Sequence, residues 1–212
     1  MEIMKNVMRR ILNLVLLLFL FTSCDKNNEE EPQPNVDLYD ILDFLTADEN
    51  EIIRQNASAL YLGGSPPDIS GVFRIQPIVH FDSQGGLEEG TVLSATFWDF
   101  SEIDGTSIKV SSRNVWGNNR VIEGENSIIR GMGNQFTVFT TLRRVANLSG
   151  NVAEVKFMIS GTFSDNNIKD CQMSLIVTRN DAPNDGLAAP VGTVRIFKPV
   201  DATRSSSTNL GS

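Results

Sequence analysis

The chain has 212 residues, of which 41% are hydrophobic and 21% are charged, and its net charge is −8 at pH 7. This length suits a single domain with a sizeable core, and the acidic charge argues against nucleic acid as a partner and against electrostatic adhesion to anionic lipid. With two cysteines and one histidine, the sequence has no Cys/His metal-ligand spacing, and we expect no metal and no cofactor.

The first 23 residues have the layout of a secretory signal peptide. Lys5, Arg9 and Arg10 precede an apolar run from Ile11 to Phe21. This run is too short for a transmembrane helix, which needs roughly 20 residues. Removal of the segment would take away three basic residues and one acidic residue, which changes the net charge from −8 to −10.

Cys24 directly follows this segment and is the last residue of the motif Phe-Thr-Ser-Cys. The motif resembles the lipobox of bacterial lipoproteins, with Phe21 in place of the commoner Leu. The resemblance implies cleavage before Cys24, a diacylglyceryl group on its thiol and a further acyl chain on the new amino terminus. Such chains give a stable membrane anchor, since each buried methylene contributes about 0.8 kcal/mol. The alternative is an incidental cysteine after an ordinary signal peptide.

Residues 24–36 form a polar tether that includes the stretch DKNNEEEPQPN. Such a stretch cannot bury enough apolar surface to order itself. Acidic residues directly after a lipidated cysteine resemble the surface-export signals of Bacteroidetes lipoproteins. The resemblance implies a lipid-anchored protein of the outer membrane that faces the cell surface, and a spacer that faces the periplasm is the alternative.

A helical lead-in is predicted over residues 37–62. Apolar residues recur at helical spacing on either side of Thr46, namely Leu38, Ile41, Leu42 and Leu45 before it and Ile52, Ile53, Ala57 and Leu60 after it. Thr46 to Glu49 has the form of a capping box. We expect two short helices, or one with a break near Thr46, packed across one opening of the domain that follows.

From Ile69 onward the hydrophobic period changes from 3.6 to 2, which indicates strands. The apolar sets, expected to face inward, are Phe73, Ile75, Val79 and Phe81, then Leu93, Ala95 and Phe97, then Phe136, Val138 and Leu142, then Ala153, Val155, Phe157 and Ile159, and then Cys171, Met173, Leu175 and Val177. Turn motifs such as EIDGT and SDNN separate the strands. About eight antiparallel strands over residues 66–200 predict an all-β, up-and-down barrel, with a β-sandwich as the alternative. Residues 201–212 are expected to be a disordered tail.

Two stretches of this region carry a resemblance, PPDISGVFRI at residues 66–75 and MISGTFSDNNIKDCQMSLIV at residues 158–177. Together they look like the lipocalin-like lipoproteins of Bacteroidetes. Gly71-Val72-Phe73 is similar to the Gly-x-Trp opening of lipocalins, with Phe73 where the family has Trp. The resemblance implies a lipocalin-type or calycin-type barrel that Phe73 plugs at its closed end, less completely than Trp would.

Few residues are candidates for catalysis. His80 is the one histidine, and its place in a strand opposite the apolar set predicts a surface residue rather than a triad member. Cys171 falls in an apolar set, which favours core packing. Asp99, Glu102 and Asp104 could bind calcium or hydrolyse a glycoside, but acidic residues before an Asp-Gly turn are also ordinary solvated turn residues. We therefore predict a protein that is not an enzyme.

Aromatic residues are the stronger candidates for a binding site. Trp98 and Trp116 end consecutive predicted strands, and Phe97 lies beside the first of them. On a barrel rim they could stack on sugar rings or close over an apolar ligand, and ordinary packing is the alternative. We predict non-catalytic binding of a small hydrophobic molecule or a glycan, with docking onto an envelope protein complex as the alternative function.

The lipobox resemblance is tested by the substitution Cys24→Ala, with Cys171→Ala as the matched control because these are the two cysteines of the chain. In cells fed an alkyne-labelled fatty acid, we expect the label to be lost from the Cys24→Ala protein and retained by the control. The Cys24→Ala protein should also leave the detergent phase in a phase-partition assay. Equal labelling of the two variants would rule out lipidation at Cys24.

Overall fold

The computed structural model describes residues 44–56, 60–115, 120–145, 150–182, 188–198 and 201–205, all within a compact unit that extends from Val36 to Ser212. The described residues include helix α1 (Ala47–Asn56) and eleven strands. The strands are β1 (Gly64–Ser65), β2 (Gly71–Ile75), β3 (Val79–Asp82), β4 (Thr96–Asp104), β5 (Ser107–Arg113), β6 (Val121–Met132), β7 (Gln135–Val145), β8 (Val152–Ser164), β9 (Asn167–Asn180), β10 (Val194–Phe197) and β11 (Asp201–Arg204). Among these residues there is no helix with the length and apolar character needed to cross a membrane.

Eight antiparallel strands close into a barrel in which each strand pairs with its neighbours along the chain. The first and last of the eight are split, into β2 with β3 and into β10 with β11. The split last strand follows β9 in one continuous register, with Val194 opposite Ile176 and Ala202 opposite Ile168. Its other edge pairs with the split first strand, which closes the barrel. The predicted all-β, up-and-down barrel is confirmed, and the β-sandwich alternative is excluded.

A β-bulge at His80 reverses which residues of the first strand face the interior of the barrel and which face outward. The register between β10 and β3 shifts after Val79, which leaves His80 as an extra residue. The predicted alternation put Phe81 on the inward face and Asp82 on the outward face. Beyond the bulge this assignment is wrong, because Asp82 lies opposite Arg195, a residue that lines the interior.

The two ends of the barrel differ in the length of their connections. At one end, called the hairpin end, two-residue turns join β4 to β5, β6 to β7 and β8 to β9. In the last of these turns both Asp165 and Asn166 have positive φ, 53° and 59°. Positive φ at both central residues is the type I′ pattern that matches the twist of paired strands. At the other end, called the loop end, the connections span residues 83–95, 114–120, 146–151 and 181–193.

The hairpin end is closed by buried side chains. The chain must cross this opening between β1, which pairs with β6, and β2, and here Ile69 is completely buried in the core. Phe73 is also completely buried, with its ring centroid 5.9 Å from that of Phe100 and 6.3 Å from that of Phe163. The Arg204 guanidinium lies 6.0 Å from the centroid of the Phe73 ring. Phe73 therefore fills the closed end together with its neighbours.

Helix α1 packs against the outer wall of the barrel and not across an opening, so that prediction is wrong. Its buried residue Ile53 joins Leu45 in a cluster with outward-facing residues of four strands, namely Phe139, Met158, Ile176 and Val194. Helix α1 ends at Asn56, and residues 37–43 of the predicted lead-in lie outside the described residues. The segment that does cross the hairpin end follows the helix and is not helical.

The predicted capping box is present at the start of α1. The backbone N–H of Thr46 donates to Glu49 Oε2 at 2.8 Å, and the backbone N–H of Glu49 donates to Thr46 Oγ1 at 3.3 Å. Glu49 Oε2 also accepts a hydrogen bond from Lys156 Nζ of β8 at 3.3 Å. The same carboxylate therefore caps the helix and attaches it to the barrel wall.

The predicted start of the disordered tail at residue 201 is too early. Residues 201–204 form β11, which pairs with both β9 and β2. Its sequence, Asp-Ala-Thr-Arg, has no apolar alternation, and Ala202 is its one buried residue. The strand is held by its ladder rather than by apolar side chains, which is why the hydrophobic pattern did not reveal it. Residues 206–212 lie outside the described residues.

The substitution Phe73→Ala tests the closed end. Loss of a completely buried phenylalanine should lower the free energy of unfolding by about 3–5 kcal/mol. Phe97→Ala is the matched control, because Phe97 lies half-buried on the outer face of the neighbouring strand β4. Urea unfolding followed by circular dichroism should give the smaller loss for the control. Equal losses would mean that Phe73 is not a central part of the core.

Candidate functional site

A cavity of about 350 Å³ lies inside the barrel at the loop end. Most of its wall is apolar, and six side chains of β8, β9 and β10 form one side of it: Val155, Phe157, Met173, Leu175, Val177 and Phe197. The volume falls in the lower part of the range of small-molecule sites, roughly 300–1,000 Å³. The interior is thus filled at the hairpin end and open at the loop end.

The inward side chains of β8 and β9 follow the alternation predicted from the sequence. Val155 and Phe157 on β8, and Met173 and Val177 on β9, are buried members of one interior cluster, and Leu175 packs against it. Intervening residues such as Ile176 lie on the outer surface of the barrel, where they pack against helix α1. The strand period of two therefore decides which side chains reach the cavity.

Trp98 lies beneath the cavity rather than on a rim. Its side chain is 0% exposed, and its indole Nε1 donates to Thr96 Oγ1 at 3.0 Å. Its ring centroid is 5.2 Å from that of Phe157 in an edge-to-face arrangement. Thr96 and Phe157 both line the cavity, so Trp98 supports the cavity from below.

The structure does not bring the three predicted ligand-binding aromatics together on one surface. Phe97 and Trp98 are successive residues of β4 and therefore face opposite sides of the sheet, with Phe97 on the outer face. Trp116 lies outside the described residues. Of the two that the structure describes, Trp98 faces the interior, so the predicted alternation that put Phe97 on the inward face is wrong.

The lining contains one charged residue, Arg195, among the described residues. Arg195 Nε donates to Asp82 Oδ2 at 2.9 Å, and the side chain of Asp82 is 1% exposed. The same carboxylate accepts hydrogen bonds from the backbone N–H groups of Gln84 at 3.0 Å and Leu87 at 3.1 Å. Sequence reasoning missed this pair because the bulge at His80 is needed to turn Asp82 inward.

The long β9–β10 loop contributes to the mouth of the cavity through Ala188 and Ala189. Asn180 Nδ2, at the end of β9, donates to the carbonyl oxygens of both alanines, at 2.8 Å and 3.0 Å. One side-chain amide therefore holds this part of the loop in place. On the opposite wall Asn114 Nδ2 donates to Ala95 O at 2.7 Å and fixes the start of the β5–β6 loop.

Exposed apolar side chains surround this mouth. Among the described residues five large apolar side chains are exposed, and four of them, Val92, Val121, Val145 and Val191, lie at the loop end. Val92 directly precedes Leu93, which lines the cavity, and Val191 lies in the same loop as Ala188 and Ala189. Val92 and Val191 therefore place exposed apolar side chains in the same loops as residues that line the mouth.

The candidate catalytic residues lie apart from the cavity. His80 is partly exposed on the outside, with Nδ1 3.1 Å from Glu89 Oε1. Cys171 is buried in the core, where loss of hydration and the charge of Asp201 raise the pKa of its thiol to about 12, so the reactive thiolate is strongly disfavoured. Burial also raises the pKa of Asp99 above its usual value.

The acidic residues do not assemble into a metal site. Glu102 pairs with Lys109 at 3.2 Å, and the described residues contain no group of three or more His, Cys, Asp or Glu side chains that could hold a metal ion. The candidate calcium site of Asp99, Glu102 and Asp104 therefore has no support among the described residues.

No family model matches the chain, and no match was found among curated proteins or solved structures.

Proposed function

We propose that the protein is an outer-membrane-anchored lipoprotein whose barrel binds a small hydrophobic molecule without chemical conversion. The observation that carries the proposal is the apolar cavity of about 350 Å³ at the loop end. Protein interiors are close-packed, and an unfilled apolar space of this size forgoes contacts that would stabilise the fold. A ligand that occupies the space recovers those contacts.

The lipoprotein part of the proposal rests on the motif that ends at Cys24 and on its resemblance to a lipobox. A lipid anchor at one end of a polar tether would hold the barrel near a membrane. A fold that resembles the lipocalin-like lipoproteins agrees with the eight-strand antiparallel barrel.

A hydrophobic ligand fits the geometry better than a glycan does. Glycan binding by stacking needs an accessible aromatic face. Trp98 is completely buried and contacts the cavity from below, so its face is not open to a sugar. Its indole N–H is already satisfied by Thr96. Val, Leu, Met and Phe side chains make up about half of the lining residues and offer contact area to an apolar ligand, while the neutral polar residues are limited to Ser94, Thr96 and Asn114.

Replacement of Leu175 by Trp tests the cavity. In the chain from residue 24 onward, Leu175→Trp should fill the space and weaken decanol binding at least tenfold by isothermal calorimetry. Because the cavity has room for the larger side chain, the free energy of unfolding should change by less than about 1 kcal/mol, whereas a packed core would lose about 1–3 kcal/mol. Leu175→Ala is the matched control and should retain decanol binding. Unchanged decanol binding by Leu175→Trp would place the ligand elsewhere.

Docking of the loop end onto an envelope protein complex is a second candidate function, favoured by the four exposed valines around the mouth. A photo-crosslinking residue at position 191 should then capture one discrete protein in the native cell. Position 132 at the hairpin end is the matched control, because Val191 and Met132 are both 58% exposed. Equal capture from both positions, or none from position 191, would argue against docking through the loop end.

A further inference from the structure

We infer that the hydrophobic ligand carries a negatively charged head group, such as the carboxylate of a fatty acid, and that Arg195 binds this head group. The inference rests on the proposed function, because it concerns the chemistry of the molecule in the same cavity. It adds a charged contact to a wall whose other polar residues, Ser94, Thr96 and Asn114, are neutral.

Arg195 is positioned to bind an anion. It lines the cavity and is the one charged residue among the described residues that do so. Its Nε is engaged by Asp82, while its two terminal NH₂ groups have no hydrogen-bond partner among the described residues. A guanidinium presents these donors in a planar fork that matches the two oxygens of a carboxylate.

Asp82 orients the guanidinium without facing the cavity. It is not among the lining residues, and its side chain is 1% exposed. One of its carboxylate oxygens accepts from Gln84 N–H, and the other accepts from Leu87 N–H and Arg195 Nε. The carboxylate of Asp82 stabilises the positive charge of Arg195 at the edge of the cavity. The terminal NH₂ groups of Arg195 remain available to a second anion.

The position of Arg195 also sets the orientation of the ligand. Arg195 lies near the start of β10 at the loop end, whereas Phe197 lies two residues further into the barrel and pairs with Met173. The head group would therefore lie at the mouth, where it keeps part of its hydration. The apolar chain would extend inward, past Phe157 and toward Trp98.

The test compares decanoate with decanol in the chain from residue 24 onward, by isothermal calorimetry. These probes have the same chain length and differ in the charge of the head group. We expect the unsubstituted chain to bind decanoate about tenfold more tightly than decanol, the ratio that corresponds to 1.4 kcal/mol. Arg195→Gln should remove this preference, and Asp82→Asn should increase it because Arg195 is then no longer neutralised.

Decanol binding reports on the cavity in every variant. If Arg195→Gln fails to bind decanol, the double variant Asp82→Asn/Arg195→Gln takes its place, because it leaves no buried carboxylate without a partner. Equal affinity for the two probes in the unsubstituted chain, or a preference for decanoate that survives the loss of Arg195, would overturn the inference and leave the proposed function standing. Failure of both probes to bind would overturn the proposed function and this inference with it.

Discussion

Closure of the sheet by the last strand is the constraint on which the structure depends. β10 and β11 fill the space between β9 and the split first strand, and their backbone groups pair on both edges. An open sheet of this length would expose a row of unpaired N–H and C=O groups. Closure removes those edges, gives the barrel an inside, and forces the alternating apolar residues of β8 and β9 into one shared core.

The different connections at the two ends explain why the cavity lies where it does. At the hairpin end the two-residue turns bring the strands together, and large side chains such as Phe73, Phe100 and Phe136 are completely buried in the interior. At the loop end smaller and polar residues, including Ser94 and Thr96, line the cavity together with Ala188 and Ala189 of the β9–β10 loop. The buried aromatic core and the cavity thus occupy opposite halves of one barrel.

The fold could be predicted from the sequence where local patterns decide it. The alternation in β8 and β9, the capping box at Thr46 and the Asp165-Asn166 turn are all set by neighbouring residues, and all are present in the structure. The ion pair of Arg195 and Asp82 could not be predicted in the same way. A one-residue bulge at His80 turns Asp82 inward, and no local sequence pattern indicates this bulge.

The remaining errors have the same origin. The sequence pattern ends a strand at Trp98 and so predicts a rim position, whereas β4 continues to Asp104 and Trp98 is completely buried inside the barrel. β11 was missed because its pairing partners are distant in the chain. In both cases tertiary pairing, and not local propensity, decides the outcome.

The pairing of residues 203–204 with residues 73–74 affects the order in which the strands of the chain can pair during folding. The first barrel strand cannot gain its final neighbour until residues 203–204 have been synthesised. Loop closure over such a separation makes this contact a late one, and proteins rich in such contacts fold slowly. Until then the outer edges of the first strand and of β9 stay unpaired, so closure of the barrel is a late step of folding.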